Sequence, residues 1–269
     1  MIIPVLLGIL VVLFAYVGFL LFERSRVFKP TLAVDADPTS EGLAFEETHF
    51  VAEDGALLHG WWIEAQGARA TVLYFHGSAG NIADRIETAK ALHRLGLHIF
   101  LFDYRGYGRS KGFASEQGTY RDARAAYEVV RAKYADTNEP PVVLYGRSLG
   151  AAVAMHLAGE RHTLGIVIEA AFTSIPDLGS ELYPALPVRR FGRIKYESLS
   201  RIRRLHMPKL IAHSRDDIFI SPEHGQRLYE AAPEPKRFAE LRGAHGDPGW
   251  IHTPGYWEIL DTFIANITK

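Results

Sequence analysis

Residues 142–159, VVLYGRSLGAAVAMHLAG, contain one serine between two hydrophobic segments. The first five residues have the composition of a buried strand, and the residues from Leu149 onward favour a helix, so Ser148 lies in the turn between them. Gly146 and Gly150 flank this serine in the pattern G-x-S-x-G, which allows a strained turn that exposes the hydroxyl beside a helix N-terminus. A serine in this position is also a common helix N-cap. The motif alone therefore does not distinguish a nucleophile from a helix cap, and the distinction depends on whether a base and a carboxylate are present elsewhere in the chain.

Strands and helices alternate along most of the chain. A hairpin is predicted over residues 46–65, with its turn at Asp54-Gly55. Further strands are predicted at residues 70–76, 98–104, 141–146, 164–170, 209–214 and 236–241, and helices at 82–95, 119–134, 149–158, 222–232 and 254–267. Short apolar strands that alternate with amphipathic helices predict an α/β fold, with a mostly parallel central sheet of about eight strands and helices on both faces.

Composition limits the class of protein. A chain of 269 residues with 48% hydrophobic content can bury one large core, and the formal net charge of −1 provides no overall field that would attract nucleic acid. We therefore expect no nucleic-acid partner. The chain has no cysteine, which excludes thiol catalysis, thiolate metal sites and disulfides.

The N-terminal segment is the least polar part of the chain. Residues 2–22 include no charged side chain, and at ~1.5 Å per residue they are long enough for a hydrocarbon core of roughly 30 Å. We expect a transmembrane anchor over residues 1–23, a linker over 24–44 and one globular domain over 45–269. Because the predicted core strands and helices all lie downstream, the anchor is expected only to tether the domain.

A cleaved signal peptide is the alternative interpretation of this segment. Such peptides have a basic start, a shorter apolar run and a small-x-small cleavage site, and this segment has none of these. Arg24, Arg26 and Lys29 follow the apolar run directly. The excess of basic residues there favours a single-pass anchor with the domain on the cytoplasmic side.

Polar side chains follow the ends of the predicted parallel strands, where ligands bind in such sheets. Ser148 follows one strand, the adjacent Asp216 and Asp217 follow another, and His245 follows the last. A serine hydroxyl needs a general base, and the base needs a carboxylate to orient it. Only one of the two adjacent aspartates can point into the site. The twelve histidines show no metal-ligand spacing such as H-E-x-x-H, so no metal or cofactor is expected.

The glycines of RGYGRSKG, residues 105–112, could suggest a dinucleotide site. Gly106, Gly108 and Gly112 have the spacing G-x-G-x-x-x-G, which is one residue longer than the dinucleotide fingerprint. No acidic residue about 20 positions further on ends a second strand. A nucleotide site is therefore not predicted.

Together the motifs resemble the α/β-hydrolase superfamily, and most of all its membrane-anchored serine hydrolases, the acyl-protein depalmitoylase-like and lysophospholipase-like members. The resemblance covers roughly residues 45–265. The similar segments are YFHGSAGN, FDYRGYGRSKG, GRSLGAAVA, YPALPVRRFGRIKYESLSRI, HSRDDIFISPEHG and GAHGD. The resemblance implies the α/β-hydrolase fold and a triad of Ser148, Asp217 and His245. It places the acid four residues after His213, although Ser214 and Ser221 replace the family's Gly and Pro.

In this family the oxyanion hole is made of backbone N–H groups. One belongs to the residue after the nucleophile, which is Leu149 here. The resemblance to the family's His-Gly-x turn implies that the second belongs to Ser78.

A lid is expected within residues 173–206, since the segment between two predicted strands there is too short for a separate cap domain. An apolar wall of the substrate site is expected from Phe172, Leu182, Tyr183, Leu186 and Phe191. Residues 189–204 include seven Lys or Arg and one Glu. These basic residues either form a solvated face or contact anionic headgroups of a membrane.

These observations predict a serine hydrolase that cleaves carboxylic ester or thioester bonds of acyl, lipid-like substrates through an acyl-enzyme, with no cofactor. The membrane lipid would contact the N-terminal helix. A peptidase or amidase of the same fold is an alternative, and a non-catalytic membrane-anchored scaffold is another. The sequence does not determine the acyl chain length or the oligomeric state.

Overall fold

The structure is a computed structural model that describes residues 2–135, 139–247 and 252–269. The helices of these ranges are α1 (Ile2–Val27), α2 (Ile86–Arg94), α3 (Glu116–Ala132), α4 (Leu149–Ala158), α5 (Ile175–Leu182), α6 (Val188–Phe191), α7 (Ser198–Ile202), α8 (Pro222–Ala231) and α9 (Tyr256–Ile267). The strands of the main sheet are β1 (Glu46–Val51), β2 (Leu57–Ile63), β3 (Thr71–Phe75), β4 (His98–Asp103), β5 (Val142–Arg147), β6 (Gly165–Glu169), β7 (Lys209–Ser214) and β8 (Lys236–Leu241).

The eight strands form one sheet in the order β1-β2-β4-β3-β5-β6-β7-β8. Strand β2 pairs antiparallel with β1 and with β4, and the remaining neighbours pair in parallel. The predicted α/β fold with a mostly parallel sheet of about eight strands is confirmed. Because β2 is the one strand of the eight that runs against the others, the carboxyl ends of β3, β5, β7 and β8 meet at one edge of the sheet.

Each face of the sheet has its own core, because successive side chains of a strand point to opposite faces. In β3, Leu73 and Phe75 face one core together with buried residues of α3, α4 and α8. Val72 and Tyr74 face the other core together with buried residues of α2 and α9. The sheet is therefore covered by helices on both sides.

Three helices begin at a different residue from the sequence prediction, and one of them, α9, begins two residues later, at Tyr256. The predicted helix at residue 82 starts with a 3-10 turn, Ile82–Arg85, before α2, and Asn81 closes a capping box there. Helix α3 begins three residues earlier than predicted, because the Ser115 side chain accepts a hydrogen bond from the N–H of Gly118 (3.1 Å) and caps the helix. The local capping groups therefore set the starts of the latter two helices.

The N-terminal helix α1 is long and apolar enough, over residues 6–27, to cross a membrane. It ends at Val27, beyond the predicted end of the anchor at residue 23, and Met1 lies outside the described residues. The residues after it lie on the domain: Phe28 is buried against Tyr196, and Lys29–Pro30 pairs in parallel with Ala79–Gly80. The expectation that the core needs nothing from the N-terminal segment is therefore corrected.

Phe28→Ala should destabilise the globular domain even though the residue lies in the predicted linker. Removal of a buried phenyl ring typically costs about 3–5 kcal/mol, and Phe28 is only 6% exposed. Urea unfolding of the detergent-solubilised full chain, followed by tryptophan fluorescence, would measure the loss. Leu32→Ala is the matched control, since Leu32 is 68% exposed and its removal should change stability by less than about 0.5 kcal/mol. Equal midpoints for the two variants would show that Phe28 is not packed in solution.

Candidate active site

Ser148 occupies a strained turn between β5 and α4. Its backbone has φ 54° and ψ −119°, a conformation that L-residues rarely adopt and that costs on the order of 1–3 kcal/mol. Two close approaches around it require glycine. A Cβ on Gly150 would lie 2.0 Å from the carbonyl oxygen of Phe75, and a Cβ on Gly146 would lie 2.5 Å from the Cα of Ala151. The N–H of Ser148 donates to the carbonyl of Glu169 (2.8 Å), which holds the turn against β6.

The structure brings Ser148, His245 and Asp217 together in a continuous chain of hydrogen bonds. The Ser148 Oγ lies 3.1 Å from His245 Nε2, and His245 Nδ1 lies 2.7 Å from Asp217 Oδ2. A carboxylate accepts only, so Nδ1 carries the proton and the lone pair of Nε2 faces the serine. These residues come from the ends of β5, β7 and β8, which are separated by up to 97 positions in the sequence.

The carboxylate of Asp217 is fully buried and bonded on both oxygens. Its Oδ1 accepts hydrogen bonds from the N–H groups of Phe219 and Ile220, each 2.9 Å. Burial alone raises the pKa of Asp217, but the hydrogen bond and charge of His245 and the two backbone donors outweigh it, so the pKa lies below its ordinary value. Asp217 is therefore ionised at neutral pH, whether the imidazole of His245 is neutral or charged.

The neighbouring Asp216 points away from this chain. Its Oδ2 accepts a hydrogen bond from the N–H of Gly243 (3.2 Å), and its Oδ1 lies 3.9 Å from Arg215 and 3.7 Å from Arg242. About half of its side chain, 47%, is exposed. The geometry thus distinguishes Asp217, which contacts His245, from Asp216, which does not. The residues alone had left open which of the two aspartates points into the site.

The two residues predicted to supply the oxyanion donors both line the cleft at Ser148. Leu149 is the first residue of α4, where backbone N–H groups have no partner inside the helix. Ser78 lies in the loop after β3, and its carbonyl accepts hydrogen bonds from the N–H of Lys29 (3.0 Å) and from the hydroxyl of Tyr107 (2.8 Å). Ser78, Leu149 and Ser148 line the same cleft. The segment after α1 therefore helps to hold the loop that carries one candidate donor.

A buried acid and a buried imidazole lie beneath this loop. His76 Nδ1 donates to the carbonyl of Gly77 (2.7 Å), and His76 Nε2 lies 3.6 Å from Asp103 Oδ1. Burial raises the pKa of Asp103 to about 7 and lowers the pKa of His76 to about 3. A protonated Asp103 beside a neutral His76 fits these directions and avoids an unpaired buried charge.

A largely apolar cleft leads away from Ser148. Three of the five predicted wall residues, Phe172, Leu182 and Tyr183, line it. The other two differ from the expectation: Leu186 and Phe191 are not among the residues that line the cleft, and Phe191 instead contacts Tyr16 of α1, with ring centroids 6.5 Å apart.

Sequence reasoning missed one wall of this cleft entirely. The last turns of α1 form it, with Phe19, Phe22, Glu23, Arg26 and Val27. In the sequence these residues look like the end of an anchor and the start of a linker. No local sequence pattern shows whether the end of a helix is exposed to solvent or packs against a distant segment. Here Arg26 contacts Tyr183, which lies 157 positions further along the chain.

A second, more open cleft meets the first at Ser148. It is lined by residues that include Lys29, Arg85, Arg147 and His245. Arg147 is paired with Glu169 (2.9 Å) and also donates to the carbonyls of His245 and Asp247. The loop that carries His245 is thus held by Arg147. Residues 248–250, which belong to the same predicted loop, lie outside the described residues.

Among the described residues, one group of side chains has the spacing of a metal site. Glu47, His49 and His59, on the hairpin of β1 and β2, have ligand atoms within 4.8 Å of one another. Glu47 is already paired with His59 and with Arg109. The hairpin lies at the edge of the sheet, several strands away from β5, and this group does not contribute to the clefts at Ser148.

Comparisons with known proteins agree with this fold. A family model described as serine aminopeptidase, S33, matches residues 66–198. The alpha/beta hydrolase domain-containing protein WAV2 of Arabidopsis thaliana is 30% identical over 272 residues, which cover 90% of this chain and 87% of that protein. The chain belongs to the α/β-hydrolase superfamily.

Two further relatives of this α/β hydrolase are informative. An uncharacterized membrane protein of Saccharomyces cerevisiae is 31% identical over 258 residues, which cover 90% of this chain and 88% of that protein. The esterase Pf2001 of Pyrococcus furiosus has a similar structure, with a TM-score of 0.74, 18% sequence identity and coverage of 90% of this chain and 98% of its own. The resemblance of the motifs to the α/β-hydrolase superfamily is thus confirmed.

Asp217→Asn should lower turnover far more than Asp216→Asn. The amide at position 217 no longer carries the charge that stabilises the imidazolium, and it favours the wrong tautomer of His245, an effect worth about 10⁴-fold in triads of this type. Asp216→Asn removes only half-exposed contacts and should change turnover by less than about threefold. Steady-state hydrolysis of a soluble p-nitrophenyl ester would measure both. The reverse ranking would assign the acid to Asp216.

Asp103→Asn should change how stability depends on pH. In wild type the native state retains the Asp103 proton between about pH 4 and pH 7 while the unfolded state loses it, so this group makes stability fall as pH rises. The amide cannot ionise, so the variant should gain stability relative to wild type over this range, by on the order of a few kcal/mol. Urea midpoints at pH 4.5, 6 and 7.5 would test it. A constant difference across these pH values would show that Asp103 is ionised in the fold.

Proposed function

We propose that the protein is a serine hydrolase that cleaves acyl esters through an acyl-enzyme, with Ser148 as nucleophile, His245 as general base and acid, and Asp217 as the orienting carboxylate. The chain of hydrogen bonds from Ser148 Oγ through His245 to Asp217 is the observation that supports it most directly. The esterase fold neighbour is consistent with this chemistry. The largely apolar cleft that begins at Ser148 favours an acyl chain over a peptide as the bound group.

In the first half of the reaction, Ser148 Oγ attacks the carbonyl carbon of the ester while His245 Nε2 takes the hydroxyl proton. The carbonyl oxygen becomes an oxyanion, to which the N–H groups of Leu149 and Ser78 would donate hydrogen bonds. Collapse of this intermediate breaks the bond to the leaving oxygen, which takes the proton from His245. The products of this half are an alcohol and an acyl group esterified to Ser148.

In the second half, a water molecule gives its proton to His245 and attacks the acyl carbon. The second oxyanion occupies the same donors, and its collapse returns the proton to Ser148 Oγ and releases the carboxylic acid. Asp217 stays ionised in both halves because its two backbone donors and His245 lower its pKa. Its charge stabilises the imidazolium that forms each time. The same steps would cleave a thioester, with a thiol as leaving group.

We also propose that α1 anchors the protein in a membrane as a single-pass helix, with the domain from residue 45 on the cytoplasmic side. The length and apolarity of α1 support the anchor, as does the membrane protein among the relatives. Arg24, Arg26 and Lys29 support the orientation. Cleavage as a signal peptide within the last turns of α1 would remove a wall of the cleft. A retained helix is therefore the better interpretation.

A peptidase is the second candidate, because the matching family model is described as a serine aminopeptidase. Such an enzyme would recognise the free amino group of its substrate, and a carboxylate near the nucleophile would be expected for that purpose. Glu23 lines the cleft, but its carboxylate already accepts two backbone hydrogen bonds from the lid. This occupancy favours the esterase.

Ser148→Ala, His245→Ala and the double variant should each lower ester hydrolysis by about 10⁴- to 10⁶-fold, and the double variant should be little worse than either single variant, because the triad acts as a unit. Initial rates on p-nitrophenyl butyrate would measure this. Wild type should be labelled at Ser148 by a fluorophosphonate probe, and the matched control Ser200→Ala, an exposed serine, should be labelled equally. Losses that multiply in the double variant, or an unlabelled wild type, would contradict the proposal.

A further inference from the structure

One face of α1 packs against the domain along the last part of the helix. From residue 6 to residue 27 the side chains of α1 are exposed, except for five that are half-buried: Tyr16, Phe19, Leu20, Glu23 and Val27. Their spacing of three or four residues places these side chains on one face of the helix. The helix is therefore docked on the domain from Tyr16 to its end.

The lid contacts this face of α1 at two levels. The carboxylate of Glu23 accepts hydrogen bonds from the N–H groups of Arg193 (2.9 Å) and Ile194 (3.2 Å). Closer to the start of α1, the hydroxyl of Tyr16 accepts a hydrogen bond from the Nε of Arg193 (2.8 Å), and the rings of Tyr16 and Phe191 lie 6.5 Å apart between centroids. At ~1.5 Å per residue the two levels are separated by roughly 10 Å along the helix.

The contact at Tyr16 belongs to the apolar part of α1. Residues 2–22 carry no charge, and Glu23 is the first charged residue. If residues 2–22 span the hydrocarbon core, the boundary of this core lies near Phe22, and Tyr16 lies ~9 Å inside it. The part of the lid that contacts Tyr16 then lies at the same depth. Interfacial helices sink roughly 5–10 Å into the boundary of a bilayer, so this depth is an ordinary one.

The lid exposes apolar side chains at this level. We call residues 184–193 the lid tip. Pro184, Ala185, Leu186 and Pro187 are four consecutive exposed apolar residues, and Phe191 follows them. Leu186 is 38% exposed and Phe191 is 44% exposed, and neither lines the cleft at Ser148. A run of exposed apolar residues without a place in the substrate site indicates contact with another apolar phase.

Arginines are interspersed with the apolar side chains of the lid tip. Arg189 is paired with Asp177 (2.9 Å), whereas among the residues that the structure describes the guanidinium groups of Arg190 and Arg193 have no carboxylate within 4 Å. The guanidinium of Arg190 lies 5.5 Å from the ring centroid of Phe191. A long arginine side chain can keep its charge among headgroups while its stem lies at the acyl chains. Apolar and basic side chains in this combination suit a bilayer with anionic headgroups.

Exposed apolar side chains also lie beside another face of α1. Phe113 is 80% exposed and Leu32 is 68% exposed, and both line one depression with Leu21 and Arg24 of α1. The guanidinium of Arg24 lies 5.4 Å from the ring centroid of Phe113. Leu21 lies at the level of the expected boundary, on a different face of the helix from Tyr16. The domain thus presents apolar surface on more than one side of α1.

We infer that the lid tip is immersed in the boundary of a bilayer with anionic headgroups. Leu186 and Phe191 lie among the acyl chains, and Arg190 and Arg193 lie at the phosphates. This inference rests on the proposed membrane anchor and does not depend on the proposed esterase chemistry. The lid tip follows directly after two residues that line the cleft, Leu182 and Tyr183, so its immersion sets the cleft beside the bilayer.

The depth of the lid tip is tested with spin labels. The chain has no cysteine, so Leu186→Cys and Phe191→Cys in the full chain can each carry one nitroxide. In vesicles of phosphatidylcholine and phosphatidylserine, power-saturation EPR compares collisions with oxygen, which concentrates in the bilayer, and with nickel-EDDA, a neutral complex that stays in water. The ratio of oxygen to nickel collisions at both positions should exceed that of the control about tenfold, because the labels lie below the headgroups.

The control for the depth measurement is Gln66→Cys. Gln66 is exposed and precedes β3, so it lies at the opposite edge of the sheet from the loop after β3, which pairs with Lys29–Pro30. Equal ratios at the control and at both lid positions would overturn the inference. Few collisions with either reagent at the lid tip would also overturn it, because they would show that a second copy of the chain or another protein covers the tip.

The arginines are tested with Arg190→Gln/Arg193→Gln in the chain labelled at Leu186→Cys. Without these substitutions, replacement of phosphatidylserine by phosphatidylcholine should lower the ratio of oxygen to nickel collisions about threefold, because basic side chains are attracted to an anionic surface. The double substitution should remove most of this dependence. Arg94→Gln is the control, since Arg94 is exposed at the end of α2, and it should retain the dependence. A ratio that does not respond to phosphatidylserine, or an equal response in the double variant, would overturn the contact with anionic headgroups.

Extraction of the vesicles with alkaline carbonate separates this inference from the proposed anchor. If the chain is released into the supernatant, α1 does not span the bilayer, and the anchor and the inference are both wrong. If the chain stays with the vesicles while both lid positions collide with nickel-EDDA as often as the control does, the anchor stands and only the immersed lid tip is wrong.

Discussion

The close approach of α4 to β3 is the constraint on which the rest of the site depends. The Cα of Gly150 lies so near the carbonyls of Phe75 and His76 that no side chain fits at position 150. This contact fixes the first turn of α4 beside the loop after β3, so that Leu149 and Ser78 line one cleft together with Ser148. The strained backbone of Ser148 is the consequence, since the chain must turn sharply from β5 into a helix that is already held in place.

The proposed triad depends on a second constraint, the burial of a charge. Asp217 is buried with its Oδ1 bonded to two backbone N–H groups, which leaves Oδ2 as the single acceptor for His245. A buried carboxylate without these donors would be protonated and could not stabilise an imidazolium. Asp103 shows the opposite case in the same protein: with one backbone donor, from Ile82, its pKa rises to about 7. Burial raises the pKa of both acids, and at Asp217 the hydrogen bond and charge of His245 together with the two backbone donors outweigh it.

The N-terminal helix joins membrane attachment to the active site. Glu23 and Arg26 bind the lid, Phe28 enters the core, and Lys29 pairs with the loop that carries Ser78. The lid, the core and the loop that carries Ser78 therefore all contact one continuous segment that begins in the proposed bilayer. An anchor that served only as a tether would need none of these contacts.

The sequence by itself determined the fold class, the order of strands and helices along the chain, and the serine, aspartate and histidine that the structure brings together, because these follow from local periodicity, glycine spacing and family motifs. Only the tertiary structure decided that the last turns of α1 line the cleft and that Leu186 and Phe191 do not. It also gave a geometric reason to separate Asp216 from Asp217. These outcomes depend on contacts between segments far apart in the chain, such as Glu23 with Arg193 and Asp217 with His245, and no local pattern of residues encodes which distant surfaces meet.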